Sequence, residues 1–316
     1  MARRYDTITF LSDYGRTDEF VGIVHSVIRS IEPGVTVIDL THDIAPYDIR
    51  GAGLALARSA GYLCPGVVLA VVDPGVGTDR RAVAVEVGDG MSVLVGPDNG
   101  LLAPAVAMCG GATRAVHLTN DEYHLPAPGP TFAGRDIFAP AAAHLCAGVP
   151  LADLGEPVDP ISLLPGMLPI SHLDGDELLA EVLWVDRYGN AQLNLDPDEI
   201  AGLGDRVRIR IGDRVRTAHV LPTYADVGLG EIGLVVDSYG LVSVVVQQGS
   251  AAEAHDLAPA TSITLSAFGD EQDGVAPPGV TTAVSLSPRP DRPDPDALPG
   301  PDPGRVPDHP TEADQP

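Results

Sequence analysis

An aspartate and an arginine seven residues apart, Asp73 and Arg80, bracket the glycine-bearing turn of the run DPGVGTDR. A carboxylate at a strand end and a guanidinium returning over the same turn can bring opposite charges to one pocket. There the acid takes or orients a proton, and the cation favours a developing anion. The bland alternative is a turn whose aspartate caps backbone amides and whose arginine is a solvated surface charge. In FLSDYG, Asp13 is a second strand-end carboxylate, able to accept two hydrogen bonds from a vicinal diol such as a ribose, or else to cap the helix beginning near Phe20. Phe132, Gly134, Arg135 and Asp136 stand before the apolar run IFAPAAAHLCAG, which reads as a helix whose first amides favour negative charge. Arg135 and Asp136 read there as a structural ion pair. The turn from Asp186 through Tyr188 to Asn190 combines a carboxylate, an aromatic face and an amide. It suits an adenine ring and an ammonium group, and it equally suits a plain hairpin; the DSYG turn at Asp237 is as ambiguous. His25, His42, His117, His124 and His144 are scattered without metal-ligand spacing, so they read as structural or surface histidines and no metal is expected.

Those residues need a frame. In the first half, short β-rich runs (TITFLSD, VTVIDLT, VVLAVV, AVAVEVG, MSVLVG, AVHLT) alternate with helical stretches at Phe20 to Ile31 and about Arg50 to Ala60. This alternation predicts an α/β N-terminal domain with a central, mostly parallel sheet, whose ligands sit beyond the carboxyl ends of the strands. A proline-rich stretch follows from about residue 155, and the linker is placed at 166–176. Residues 177–268 then read as alternating strands broken by DRYGN, IGDR and DSYG turns, predicting a small antiparallel β-barrel or sandwich as the C-terminal domain. From 269 to 316 the chain is acidic, rich in proline and poor in large apolar residues, so a disordered tail is expected.

Composition narrows the function classes. With 44% apolar residues the chain has material for packed cores, and a formal charge of -25, with arginine as its sole strong base, argues against nucleic acid or an anionic membrane as partner. Cys64, Cys109 and Cys146 are widely spaced among apolar residues and read as buried, reduced thiols. No run has the length of a membrane helix and the start lacks a signal-peptide core, so a cytoplasmic location is expected.

Taken together, FLSDYG, THDIAPYDI, VVDPGVGTDRR, GPDNGLL, TFAGRDIFAPAAAHL, DRYGN and DSYG resemble the S-adenosyl-L-methionine (SAM) hydroxide adenosyltransferase family, relatives of the fluorinase and chlorinase enzymes, over about residues 7 to 266. The resemblance implies an N-terminal α/β domain at residues 1–165, a C-terminal β-barrel, and a homotrimer with active sites between subunits. It implies hydrolysis of SAM to adenosine and L-methionine, with SAM as substrate and no cofactor. It assigns the ribose hydroxyls to Asp13 and the walls around ribose and reacting carbon to Tyr47 and Phe132. Asp186 is assigned to the methionine ammonium, Ser238 to its carboxylate, and Tyr188 and Asn190 to adenine. Near Gln247 and Gln248 the pattern departs from the family's, leaving the adenine edge open.

The family's water-using members carry an aspartate, an arginine and a histidine. The first two correspond to Asp73 and Arg80; the third corresponds to Ala133, where TFAGRD stands for TFHGRD. A methyl group neither holds water nor carries a proton, so a weakened hydrolase that still binds SAM is expected, unless His25, His124 or a water fills the gap. Intact neighbouring motifs favour a replaced histidine over drift. Two alternatives remain: a non-catalytic SAM- or adenosine-binding protein, and a SAM-dependent halogenase. Gly134 resembles the chlorinase position, while Asp73 would set a carboxylate against the halide.

Overall fold

Apolar runs such as Val67–Val71 are buried at every position, and a strand with no polar face must be covered on both sides. The computed structural model, which describes residues 4–268, supplies that cover. The expected acidic tail lies outside the described residues. The first sheet is built from β1 (Thr7–Ser12), β2 (Thr36–Thr41), β3 (Val67–Val71), β4 (Ala82–Val87), β5 (Ser92–Pro97), β6 (Ala112–His117) and β7 (Glu156–Val158). Its order is β2-β1-β3-β5-β4-β6-β7; the first four strands are parallel and β4 starts an antiparallel edge. Helices α1 (Phe20–Ile31) and α4 (Ala139–Cys146) cover one face with Ile8, Phe10 and Leu69, while α2 (Ile49–Ser59) and α3 (Ala103–Met108) cover the other with Leu11, Val68 and Ala70.

This order matters for the site. The chain leaves β1 through α1 to β2 on one side, then returns through α2 to β3 on the other, so the crevice beyond β1 and β3 is the sheet's switch point. Asp13 and Asp73 follow those two strands.

Glu86 interrupts the apolar run of β4. Its buried carboxylate accepts from Arg114 Nε at 2.8 Å and Thr113 Oγ1 at 3.2 Å, with Arg4 Nη2 also 3.2 Å away. The Arg114 hydrogen bonds, opposed by burial, hold this carboxyl below its usual range. A depressed folded-state pKa contributes stability that is present above the unfolded value near 4.5 and is lost as pH falls through the folded one. Glu86→Gln should therefore lower the melting temperature at neutral pH and flatten its fall in acid. An unchanged acid profile in thermal melts would contradict this assignment.

The second domain is a closed barrel. Strands β9 (Glu177–Val185), β10 (Ala191–Leu193), β11 (Arg206–Ile211), β12 (Arg214–Val220), β13 (Ile232–Val236), β14 (Val242–Val245) and β15 (Ser262–Ala267) run in the order β10-β14-β13-β12-β11-β15-β9, and β9 pairs back onto β10. A short strand, β8 (His172–Asp174), adds to the outer side of β9. Alternation builds the ring: in β11, Val207, Ile209 and Ile211 are buried while the arginines between them face outward. One pairing departs from the antiparallel expectation, since β12 and β13 are parallel. Their connection crosses back along the barrel, carrying Tyr224 with it.

Two arginines of α2 meet the barrel. Arg50 pairs with Glu181 of β9, and Arg58 lies 4.2 Å from the Trp184 ring and 5.7 Å from that of Tyr239. The cysteine reading needs correction: Cys146 is buried, but Cys64 and Cys109 are free and exposed. Both stand just past the ends of helical segments, and their immediate neighbours Pro65 and Met108 are exposed with them.

Candidate active site

The turn after β3 forms on its own backbone, with Val76 N donating to Asp73 O at 3.2 Å and Thr78 N to Gly75 O at 3.2 Å. It carries Arg80 back over Asp73. Arg80 Nε donates to Asp73 Oδ1 at 2.8 Å, and Nη2 donates to Oδ2. The pair is bidentate, with the aspartate side chain 6% and the arginine side chain 14% exposed, so the solvated-surface reading fails. The guanidinium also lies 5.1 Å from the Phe138 ring.

Asp73 shares a cleft of about 330 Å³ with Asp13, Tyr47, Phe132, Ala133 and Gly134. Asp13 does not cap α1, whose N-cap is Glu19. Instead its Oδ2 accepts from Tyr47 N at 2.9 Å, which holds Tyr47 at a φ of 68° beside the cleft and leaves Oδ1 free to accept. Phe132 packs edge to face on both Tyr14 and Phe20, which are tilted against each other, with centroids 5.1 to 5.7 Å apart. Burial, followed by the charges of Asp13 and Asp73, drives the Tyr14 hydroxyl far up, so it is a neutral hydrogen-bonding group. Tyr14 and Phe20 were not singled out in the sequence. The aromatic in FLSDYG was the available signal, and only packing joins it to Phe132.

Ala133 is the wall between two spaces. It lines the front cleft and also a rear cavity of about 590 Å³ bounded by Arg80, Asp136, His117 and His124. Thus Asp73 faces the front, Arg80 the rear, and their ion pair spans the wall. His124, whose pKa burial lowers, belongs to that rear cavity; His25 lines neither space. The segment after Ala133 is a π-helical turn, Gly134–Phe138, which leads into α4. Arg135 pairs with Asp136 at 2.6 Å as expected, and Asp136 O accepts from Leu125 N at 2.9 Å, tying the His124 segment to this turn.

The barrel residues gather elsewhere. Tyr188, Asn190 and Gln248 line a cleft of about 760 Å³ with Tyr224, Ala225 and Ser250. Asp186 serves its own turn: Oδ1 accepts from Tyr188 N and Asn190 N, and Oδ2 from Asn190 Nδ2 at 2.8 Å. Gly189 is required there, since a Cβ would stand 2.1 Å from Ser250 Oγ and its φ is +83°. Asp237 likewise accepts from Tyr239 N at 2.8 Å, leaving Ser238 exposed at the turn. Burial, then the charges of Asp237 and Asp186, raise the Tyr224 pKa. Neither Tyr224 nor Ser250 stands out in the sequence, because Tyr224 sits in the crossover and Ser250 has the form of an ordinary helix cap. The front cleft and this cleft share no lining residue.

The residues of both clefts fall within spans matched by family models. The SAM hydroxide adenosyltransferase N-terminal domain matches residues 8–155 and the C-terminal domain of the same family matches residues 180–264. The chain belongs to the SAM hydroxide adenosyltransferase family. It is 44% identical over 260 residues, covering 82% of this chain and 97% of the relative, to a protein of Salinispora tropica named (R)-S-adenosyl-L-methionine hydrolase. A fluorinase of an Actinoplanes species is more distant, 26% identical over 289 residues with 82% and 97% covered. A crystal structure of an uncharacterized conserved protein from Thermotoga maritima shares the fold at a TM-score of 0.76 and 32% identity, over 82% of this chain and 99% of that one.

Within this family member, the glycine after Ala133 is the tightest point of the front wall. A Cβ at Gly134 would stand 2.0 Å from Tyr14 Oη and 3.3 Å from the Phe132 ring. Gly134→Ala should cost about 1–3 kcal/mol of stability by overpacking. It should also weaken ligand binding in the front cleft by displacing both rings. Thermal unfolding with and without SAM checks this; an unchanged melt would mean that Tyr14 yields freely.

Proposed function

We propose that the protein cleaves SAM to adenosine and L-methionine by attack of water on the ribose 5′ carbon. The observation that carries this reading is the bidentate, buried Asp73–Arg80 pair beside Asp13 at the switch point of the sheet. The hydrolase named among its relatives supports the substrate. A sulfonium leaves as a neutral thioether, taking the C–S bonding pair with it, so no acid is needed on the leaving group and no redox group enters. A water oxygen forms the new bond to C5′ and gives up its proton. Asp73 orients that water or takes the proton, Arg80 stabilises its hydroxide character, and the cleft keeps it in line with the C–S bond.

In this reading Asp13 holds the ribose hydroxyls through its free Oδ1, while Tyr47 and Phe132 wall the sugar. Asp186 meets the methionine ammonium with the remaining lone pair of Oδ2, Ser238 meets the carboxylate, and Tyr188, Asn190 and Gln248 border adenine. The two clefts complete each other in a cyclic homotrimer, each site joining the first domain of one subunit to the barrel of the next. Tyr47 and Tyr188, 73% and 77% exposed, are the aromatics such an arrangement would cover. Ala133 supplies no proton carrier, and turnover is correspondingly slow.

That same alanine favours the other reading, a protein that binds SAM without cleaving it. Incubation with SAM, with and without chloride, separates the cases by product. Adenosine supports hydrolysis; 5′-chloro-5′-deoxyadenosine would make the protein a halogenase; unchanged SAM, even with Ala133→His, would leave a binding protein.

A further inference from the structure

Three side chains outside both clefts converge beside the carboxyl ends of β1 and β2. His25 comes from α1, Asp39 from β2, and His42 from the residue after that strand. His25 Nε2 lies 2.8 Å and His42 Nε2 3.1 Å from Asp39 Oδ1, and one donor atom from each residue lies within 4.8 Å of the others. The His42 side chain is fully buried. Its Nδ1 shares a 2.8 Å hydrogen bond with Ser12 Oγ, whereas its Nε2, aimed into the cluster, lacks the alignment of a hydrogen bond and has no such partner among the described residues. A buried ring nitrogen whose polar contact is the misaligned Asp39 oxygen at 3.1 Å is incompletely satisfied.

We propose that His25, Asp39 and His42 form a binding site for a zinc-class divalent transition-metal ion. Two imidazole nitrogens and one carboxylate oxygen are a borderline donor set, suited to zinc or cobalt rather than to magnesium or calcium, which take oxygen ligands. Ser12 fixes the orientation of the buried ring and leaves Nε2 as the ligand atom, the outer-shell arrangement that metal-binding histidines require. Ligands bonded at about 2.0–2.1 Å around a tetrahedral ion lie about 3.3 Å from one another. The two short contacts need to open by about 0.5 and 0.2 Å to reach that spacing, and the two ring nitrogens, within 4.8 Å of each other, to settle to it as well. Phe10, with its ring centroid 4.6 Å from that of His42, closes the inner side. His25 and Asp39, 36% and 28% exposed, leave an outer path for the ion and for water as a further ligand. The ion would join α1 to β2. Through Ser12 Oγ, and through the 2.8 Å bond from Gly15 N to His42 O, it would also brace the loop that carries Asp13.

The test is uptake of Co²⁺ and Zn²⁺ by the full chain after chelator treatment, independent of turnover. We expect one ion per chain, visible d–d absorption of low-symmetry Co²⁺, and its displacement by Zn²⁺. His25→Ala and His25→Gln, which remove a direct ligand at a partly exposed helix position, should weaken binding by more than the roughly 10- to 100-fold typical of losing an outer-shell partner. His172→Ala, at an exposed position on β8, should leave it unchanged. Absence of the cobalt spectrum in the unsubstituted chain, or uptake equal in the His25 variants, would overturn the site and leave the cluster as a carboxylate bridging two histidines.

Discussion

Replacing Ala133 by histidine raises adenosine formation from SAM by about 100- to 10,000-fold, the usual contribution of a positioned acid–base group. The room for it is present. Ala133 is 7% exposed, yet it borders the front cleft on one side and the rear cavity of about 590 Å³ on the other, so an imidazole enters without filling an already packed core. Its neighbours are in place as well, because the Asp73–Arg80 pair already spans the same wall. Single-turnover chromatography of the two proteins side by side is the measurement, with SAM binding followed separately so that a change in affinity is not read as chemistry. A gain of this size identifies the present chain as a hydrolase lacking one group. Equal rates with equal binding would mean that Asp73 and Arg80 do not prepare a water, and the binding-protein reading would replace the hydrolase.

The other large effect concerns where the active site lies. Asp13→Ala disables the front cleft and Asn190→Ala the barrel cleft, so in the Ala133→His background each variant by itself should lose nearly all activity. Mixed in equal amounts under conditions of subunit exchange, the two should recover about a quarter of the sites, since half of the first-domain faces and half of the barrel faces are intact and each site draws one of each. The expectation rests on the separation of the two clefts, which share no lining residue, and on the exposed tyrosines beside them. Complementation is read as adenosine formed per chain after mixing, compared with the unmixed variants. If both clefts served one site within a single chain, mixing would restore nothing.

The parts of this protein that were legible in its sequence are those in which neighbouring residues act on one another. The α1 and α2 bounds, the buried parallel strands, and the change to an alternating barrel follow from periodicity, because the side a residue faces is set by its place in a helix or strand. Asp73 and Arg80 could be paired on paper because a single turn separates them, and Arg135 and Asp136 because they are adjacent. Ring closure, the parallel pairing of β12 with β13, and the exposure of Cys64 and Cys109 could not be read in this way.

By itself, then, the sequence determined which chemical groups are available and which elements carry them. Tertiary structure decided what those groups meet. It gave Asp13 to the backbone of Tyr47 rather than to a helix cap, set Ala133 between two cavities, and brought His25 and His42 onto Asp39 from segments with no common period. The reason is physical: local preference is settled within a few residues, whereas the convergence of distant side chains depends on how whole elements pack, and a close-packed interior allows few such arrangements.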